Sequence, residues 1–312
     1  MSRLTKHNHS IKNLSKRIIW RLYRFNTIFI LGDGRSGTTW INDLINYDGR
    51  YIEVFEPFHG RYNFNLEENR IYPLLSDVKS ISSLNGNIYS NLAIKNRKRF
   101  SIPHGIIIKD ISAHFILQDL ARWNFKNIFI IRNPLSVALS KESYGGWHSE
   151  SDINVILKNY NELNMIGKEC FNKSLVTTNF LEYVLSWCLL HRHTLKQLDQ
   201  LGFFPFFYES VLNTPEVMIE KLFISIGQHK LYLNNKKAIL ASSKIKSRTT
   251  TDQNRIEDNI SLKAPWNKVK PKEEISKAYE IIKRCGLYDV YKDKMQPTLP
   301  EKALSSIMDQ WK

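Results

Sequence analysis

The sequence predicts an α/β fold, a three-layer sandwich in which helices flank a central, mostly parallel sheet. Three observations predict it. A short β-rich run, Thr27-Ile-Phe-Ile-Leu31, passes through a glycine loop straight into a helical stretch, Thr38 to Asn46. Two more runs, Ile106-Ile-Ile-Lys109 and Ile128-Phe-Ile-Ile131, have the length and near-unbroken apolarity of strands buried on both faces. Helical patterns follow each buried run, Phe115 to Trp123 between the two and Pro134 to Lys141 after the second. Such crossovers join parallel strands, and the one at 115–123 implies that its two strands are neighbours.

The elements follow in chain order. Residues 1–25 hold Arg3, Lys6, Lys12, Lys16, Arg17, Arg21 and Arg24 and no acid, with Ile11, Leu14, Ile18, Ile19 and Leu22 at helical spacing. This predicts a basic amphipathic helix ahead of the core. The preferred reading is a helix that caps the domain with its charges in water; the alternative is peripheral contact with a membrane face. Residues 60–100 and 145–175, rich in Asn, Ser and Tyr, read as surface insertions. Phe180 to Gln200 reads as a long helix, and Phe203-Phe-Pro-Phe-Phe-Tyr208 as another buried strand. Thr214-Pro-Glu opens a helix to about Ile226, with Thr214 as cap and Pro215 in the first turn. Lys272 to Lys283 is a further helix, ended by Gly286. With no repeat and no low-complexity linker, residues 1–312 read as one domain.

Composition narrows the partners. A net charge of +15 suits polyanions: nucleic acid, an anionic membrane face, or a multiply phosphorylated cofactor. The three cysteines, Cys170, Cys188 and Cys285, form no Cys-x-x-Cys pair, which argues against a zinc site or a disulfide framework. No apolar run has the length of a membrane span and no signal-peptide core is visible, so the expected location is the cytoplasm, with the inner membrane face as a peripheral site.

The glycine loop, Gly32-Asp-Gly-Arg-Ser-Gly37, carries the first chemistry. A loop between a buried strand and a helix aims backbone N–H groups at one point, where the helix dipole favours negative charge. Gly34 and Gly37 let the backbone wrap an oxyanion; Ser36, Thr38 and Thr39 offer hydroxyls, and Arg35 a permanent cation. The nucleotide-triphosphatase P-loop places lysine where Thr38 stands, which argues against ATP hydrolysis or ordinary kinase chemistry.

Gly34-Arg-Ser-Gly-Thr-Thr-Trp40 resembles the 5′-phosphosulfate loop of the sulfotransferase superfamily. Ile128-Phe-Ile-Ile-Arg-Asn-Pro-Leu-Ser-Val-Ala-Leu-Ser140 is similar to its 3′-phosphate segment. Phe207-Tyr-Glu-Ser-Val-Leu-Asn-Thr-Pro215 is similar to its Tyr-Glu-Asp-Leu…Pro segment, with Ser210 replacing the acid. The three stand in the family's order and span residues 27 to about 227. The resemblance implies a P-loop-type sandwich and an enzyme of EC 2.8.2 type. Its donor would be 3′-phosphoadenosine 5′-phosphosulfate, its product 3′,5′-adenosine bisphosphate, with no metal required and no nucleic-acid partner.

The same resemblance assigns roles. Backbone amides from Gly34 to Thr39 would hold the 5′-phosphosulfate, with Arg35 stabilising charge on the bridging oxygen. Trp40 would stack on adenine, with a core tryptophan as the bland alternative. Arg132 and Ser140 would bind the 3′-phosphate, and Tyr208 would approach the adenine edge. Cytosolic members take the acceptor's proton with a histidine in a Lys-x-His setting; here the segment reads Lys109-Asp-Ile111, and that histidine is absent. Carbohydrate-modifying members use a glutamate, often inside Phe-Glu-Pro, and this chain has Val54-Phe-Glu-Pro-Phe-His59. Glu56 is therefore the candidate base, with Glu53, Asp110 and His59 as lesser ones, unless it merely pairs with a cation such as Arg61. Lys109 would neutralise the transferring group or serve as a strand-end ion-pair partner. Arg248 or Lys246, in a basic segment that lacks the family's glycines, would reach the nucleotide. Lys95 to Arg99 form a second basic run, a solvated loop or a contact for an acidic glycan. The expected acceptor is a carbohydrate hydroxyl on a glycan, polysaccharide or glycolipid. A small phenol, lipid or peptide is the alternative, followed by an atypical ATP-dependent kinase and a non-enzymatic polyanion-binding module.

Overall fold

The structure, a computed structural model, describes residues 14–60, 72–74, 77–78, 80–93, 102–145, 150–170, 175–198, 200–244, 264–292 and 294–298. Its strands are β1 (Thr27–Gly32), β2 (Tyr51–Phe55), β3 (Leu92–Ala93), β4 (Gly105–Asp110), β5 (Lys126–Ile131) and β6 (Phe203–Phe207). Helix α1 covers 14–23, followed by α2 (Thr38–Ile45), α3 (Ile81–Ser90), α4 (Leu117–Leu120), α5 (Pro134–Tyr144), α6 (Glu150–Asn159) and α7 (Asn161–Cys170). Then come α8 (Asn179–Leu195), α9 (Tyr208–Asn213), α10 (Pro215–Ser225), α11 (His229–Ser243), α12 (Trp266–Val269), α13 (Lys272–Arg284) and α14 (Tyr288–Tyr291).

One sheet runs β3-β2-β4-β1-β5-β6. Five strands are parallel, and only the short edge strand β3 is antiparallel, to β2. Alternation along each strand feeds two cores. Phe29, Leu31, Ile106, Ile108, Phe129 and Ile131 point to one face, covered chiefly by α5, α8 and α13. Ile28, Ile30, Ile107, Ile128 and Ile130 point to the other, covered by α2, α10 and α11. This is the three-layer α/β architecture that the buried-strand runs imply. Pro205 sits in β6, which among the described strands is an edge strand paired with β5 alone, the kind of position where proline is tolerated.

Three expectations need correction. β4 and β5 are not neighbours: β1 lies between them. The connection at 113–123 is a 3₁₀ turn, one turn of α-helix and a second 3₁₀ turn, and it carries the chain past β1. Apolar runs identify strands, yet the slot each takes depends on packing between distant segments. Much of 80–93 and 150–170 is helix α3, strand β3 and helices α6 and α7, not open loop, because Leu84 and Ile88 of α3, Ile153, Ile156 and Leu157 of α6 and Leu163 of α7 are buried in the core. Thr214 makes no side-chain cap; its hydroxyl donates to the Ser210 carbonyl at 3.3 Å.

Helix α1 does cap the core, but with a different face. Trp20 is buried, its Nε1 donates to Asn85 Oδ1 at 2.9 Å, and its ring meets Trp123 and Phe125 edge-on. Ile19 and Tyr23 pack beside it. Leu14, Ile18 and Leu22 stay outside. No described helix is long and apolar enough to cross a membrane.

Candidate active site

In an open parallel sheet, side chains and loops at the carboxyl ends of the strands face one crevice, deepest where the chain reverses its winding direction. Here the reversal lies at β1, with β2 and β4 on one side and β5 and β6 on the other. Five adjacent strands end in predicted site residues. Glu56 follows β2, Lys109 is the penultimate residue of β4, the glycine loop follows β1, Arg132 follows β5, and Tyr208 follows β6.

The loop after β1 is set by two left-handed residues, Arg35 (φ 70°) and Gly37 (φ 97°). Gly37 cannot be larger: a Cβ there would lie 2.7 Å from the Tyr208 ring. It is also the N-cap of α2, so no side chain covers the first N–H groups of that helix. Ser36 is turned inward, its N–H and hydroxyl both donating to the Asp33 carbonyl, at 3.1 and 2.5 Å. Thr38 and Thr39 are buried at the helix start.

Arg132 and Ser140 converge on this loop. Arg132 Nη1 donates to the Arg35 carbonyl at 2.8 Å, and Arg35 Nε donates to Ser140 Oγ at 3.0 Å. The Arg132 guanidinium lies 4.7 Å from the centre of the Tyr208 ring. Its buried Nε has no hydrogen-bond partner among the described residues, a donor left over for an anion. Trp40 meets Tyr208 edge-on at 6.0 Å, and its Nε1 donates to the Ser243 carbonyl at 3.2 Å. Two guanidiniums, a hydroxyl and uncapped helix N–H groups therefore share one place, beside a pair of aromatic rings.

Two supports escaped sequence reasoning. Lys141, one residue after Ser140, is buried and donates to both carboxylate oxygens of buried Asp33, at 2.8 and 2.7 Å. Glu209, also buried, accepts from the Asn133 N–H at 2.8 Å and from the Tyr291 hydroxyl at 2.9 Å. Burial pushes the Glu209 carboxyl up and the Tyr291 hydroxyl well up. Asn133 itself caps α5 through the N–H groups of Leu135 and Ser136. The available signal was position: an acid inside the glycine loop, and an acid directly after Tyr208.

On the other flank, Glu56 adopts φ 47°, a left-handed conformation that a residue with a Cβ pays for. Its N–H donates to the Lys109 carbonyl at 2.6 Å, and its Oε1 pairs with Lys109 Nζ. Lys109 is buried, with its ammonium 4.3 Å from the centre of the Phe55 ring, whereas the Glu56 side chain keeps 15% of its surface in contact with solvent. Lys109 is thus a cation that meets Glu56 among the described residues; Arg61 lies outside them. Of the lesser base candidates, Glu53 is buried and accepts from Asn42 and Asn46 of the α2 segment, at 2.9 and 3.0 Å. His59 is buried, its N–H donating to the Glu56 carbonyl at 3.2 Å. Asp110 is fully buried, accepting from the N–H groups of Phe58 at 2.8 Å and Ser112 at 2.6 Å. Burial pushes its carboxyl up to about 7, against the pull of those two bonds. Arg248, Lys246 and the run at 95–99 lie outside the described residues.

A family model described as "Sulfotransferase domain" matches residues 25–277. No significant match was found among curated proteins or among solved structures.

Proposed function

The chain belongs to the sulfotransferase family and is a sulfotransferase dependent on 3′-phosphoadenosine 5′-phosphosulfate; from that premise we propose that its acceptor is a carbohydrate hydroxyl, on a glycan, polysaccharide or glycolipid. The observation that carries the proposal is the turn Phe55-Glu-Pro57 at the end of β2, with Glu56 held in a left-handed conformation against Lys109. Where cytosolic members carry the histidine of Lys-x-His, this chain has buried Ile111.

In this reading the strand ends divide the labour. The donor, when bound, supplies a sulfuryl group on a good phosphate leaving group. The N–H groups at the start of α2 hold the 5′ end, with Arg35 beside the bridging oxygen. Arg132 and Ser140 bind the 3′-phosphate, the orphaned Nε of Arg132 giving a second donor beside Nη1. Tyr208 and Trp40 flank adenine. Glu56, two strands from β1 and so about 10 Å away, takes the proton from the acceptor oxygen as that oxygen attacks sulfur. Lys109 orients the carboxylate and offsets charge on the group in flight. The whole chain acts as one domain, a reading supported by α13, α14 and Met295 packing into the same core as β1 and β5.

A screen of glycans, glycolipids, small phenols, simple lipids and peptides with radiolabelled sulfate donor tests the proposal. Label incorporated into glycans supports it. Incorporation confined to phenols, simple lipids or peptides rejects it.

A further inference from the structure

Helix α1 has two apolar faces, and among the described residues only one packs into the core. Trp20, Ile19 and Tyr23 enter the core. On the outer side Leu14, Ile18, Leu22 and Phe25 are 60%, 49%, 68% and 78% exposed. The first three recur every four residues, so they form a continuous row along the helix. Isolated exposed leucines need no explanation; a row of four large apolar side chains does. Arg17 and Arg21, exposed and four residues apart, and exposed Arg24 in the 3₁₀ turn that follows the helix run alongside it. Among residues 14–26 there is no acid. Ile102, 76% exposed, lies just before β4, as Phe25 lies just before β1, so both stand at the amino ends of the strands.

We propose that this face of α1 docks the protein on an anionic lipid bilayer, the apolar row entering the headgroup boundary and the arginines meeting lipid phosphates. Charge complementarity selects the occupant. A second copy of this chain would bring three more arginines against these three, on a molecule of net charge +15. An anionic bilayer offers apolar depth and opposite charge together, the combination that an interfacial helix requires. The helix lies flat because Trp20 and Lys16, the latter donating to the Ser90 carbonyl at 2.6 Å, pin its inner side to the domain. Docking at the amino ends of the strands leaves the site at their carboxyl ends facing water.

Sedimentation of the full chain with phosphatidylcholine vesicles, and with vesicles containing phosphatidylglycerol, tests this without reference to any acceptor. Partitioning is expected only onto the anionic vesicles, weakening as salt rises. The triple variant Arg17→Gln/Arg21→Gln/Arg24→Gln loses roughly fivefold per arginine, on the order of a hundredfold in all. Leu14→Ser/Ile18→Ser/Leu22→Ser loses binding as well, while both variants unfold at the wild-type urea midpoint. A solvatochromic dye on Ile18→Cys shifts to the blue when anionic vesicles are added. Absence of binding to anionic vesicles overturns the proposal, as does binding unchanged in both variants or a dye that does not shift. Concentration-dependent dimers that the serine variant abolishes and vesicles do not compete away overturn it too, by naming a second copy as the occupant.

Discussion

The carboxylate of Glu56 is paired with the ammonium of Lys109, and the backbone N–H of Glu56 donates to the carbonyl of the same lysine at 2.6 Å. One residue at the end of β4 thus fixes both backbone and side chain of a residue just past β2. A glutamate in a left-handed turn, held twice, is built for position.

Glu56→Gln keeps the shape of that turn and removes proton acceptance. Turnover with the acceptor found by the glycan screen should fall by about 10²–10⁴. Affinity for 3′,5′-adenosine bisphosphate, read by calorimetry, should stay within about twofold, since no phosphate contact is assigned to Glu56. Full activity in this variant removes Glu56 from the chemistry.

Arg132→Ala deletes the guanidinium that bridges the Arg35 carbonyl and the Tyr208 ring. Bisphosphate binding should weaken by about 10- to 100-fold, as for a charge-assisted hydrogen bond. Ser140→Ala removes a neutral hydroxyl and should cost about two- to tenfold. The same calorimetric titration reads both, and unchanged affinities would dissociate these residues from the nucleotide.

Lys141→Met leaves the Asp33 carboxylate buried without the ammonium that both its oxygens accept from. Breaking one side of a buried pair costs about 3–5 kcal/mol, visible in urea unfolding. Lys141→Met/Asp33→Asn should recover most of that loss, because the unpaired charge is gone. A double variant as unstable as the single would show that the pair is not what the loop relies on.

Asp110 gives stability a distinctive pH dependence. Its carboxyl is pushed up to about 7 by burial, so from about pH 4 to 7 the unfolded chain gives up a proton that the folded chain keeps. Wild-type stability should fall across that window relative to Asp110→Asn, by an amount on the order of 4 kcal/mol, and level off above it. Urea midpoints of both proteins at pH 4 and pH 8 give the difference. A parallel pair of pH curves would mean that Asp110 ionises normally.

Much of this was legible in the sequence because its signals are local. The strand–loop–helix at 27–46 needs only a buried run, glycines and a helix start. Arg132 and Ser140 belong to one strand–helix unit, so their spacing alone aims them together. What escaped is what depends on long-range packing. β2 at Tyr51–Phe55 is too short to stand out, and it takes its place only by pairing with β4. The buried partners of Lys141 and Glu209 lie 108 and 82 residues away, at Asp33 and Tyr291. Ile18 and Ile19 look equivalent by period, yet Trp20 decides which of them faces the core.

Ser140 and Lys141 are consecutive residues of α5, and they reach the same loop from two directions, one toward Arg35 and one toward Asp33. Each residue added or deleted in a helix rotates everything beyond it by roughly 100°. A single insertion between Pro134 and Ser140 would therefore unseat both contacts at once, whereas insertions after Tyr144 would disturb neither. Length variation in relatives of this chain should accumulate beyond the end of α5 and be absent within its first two turns.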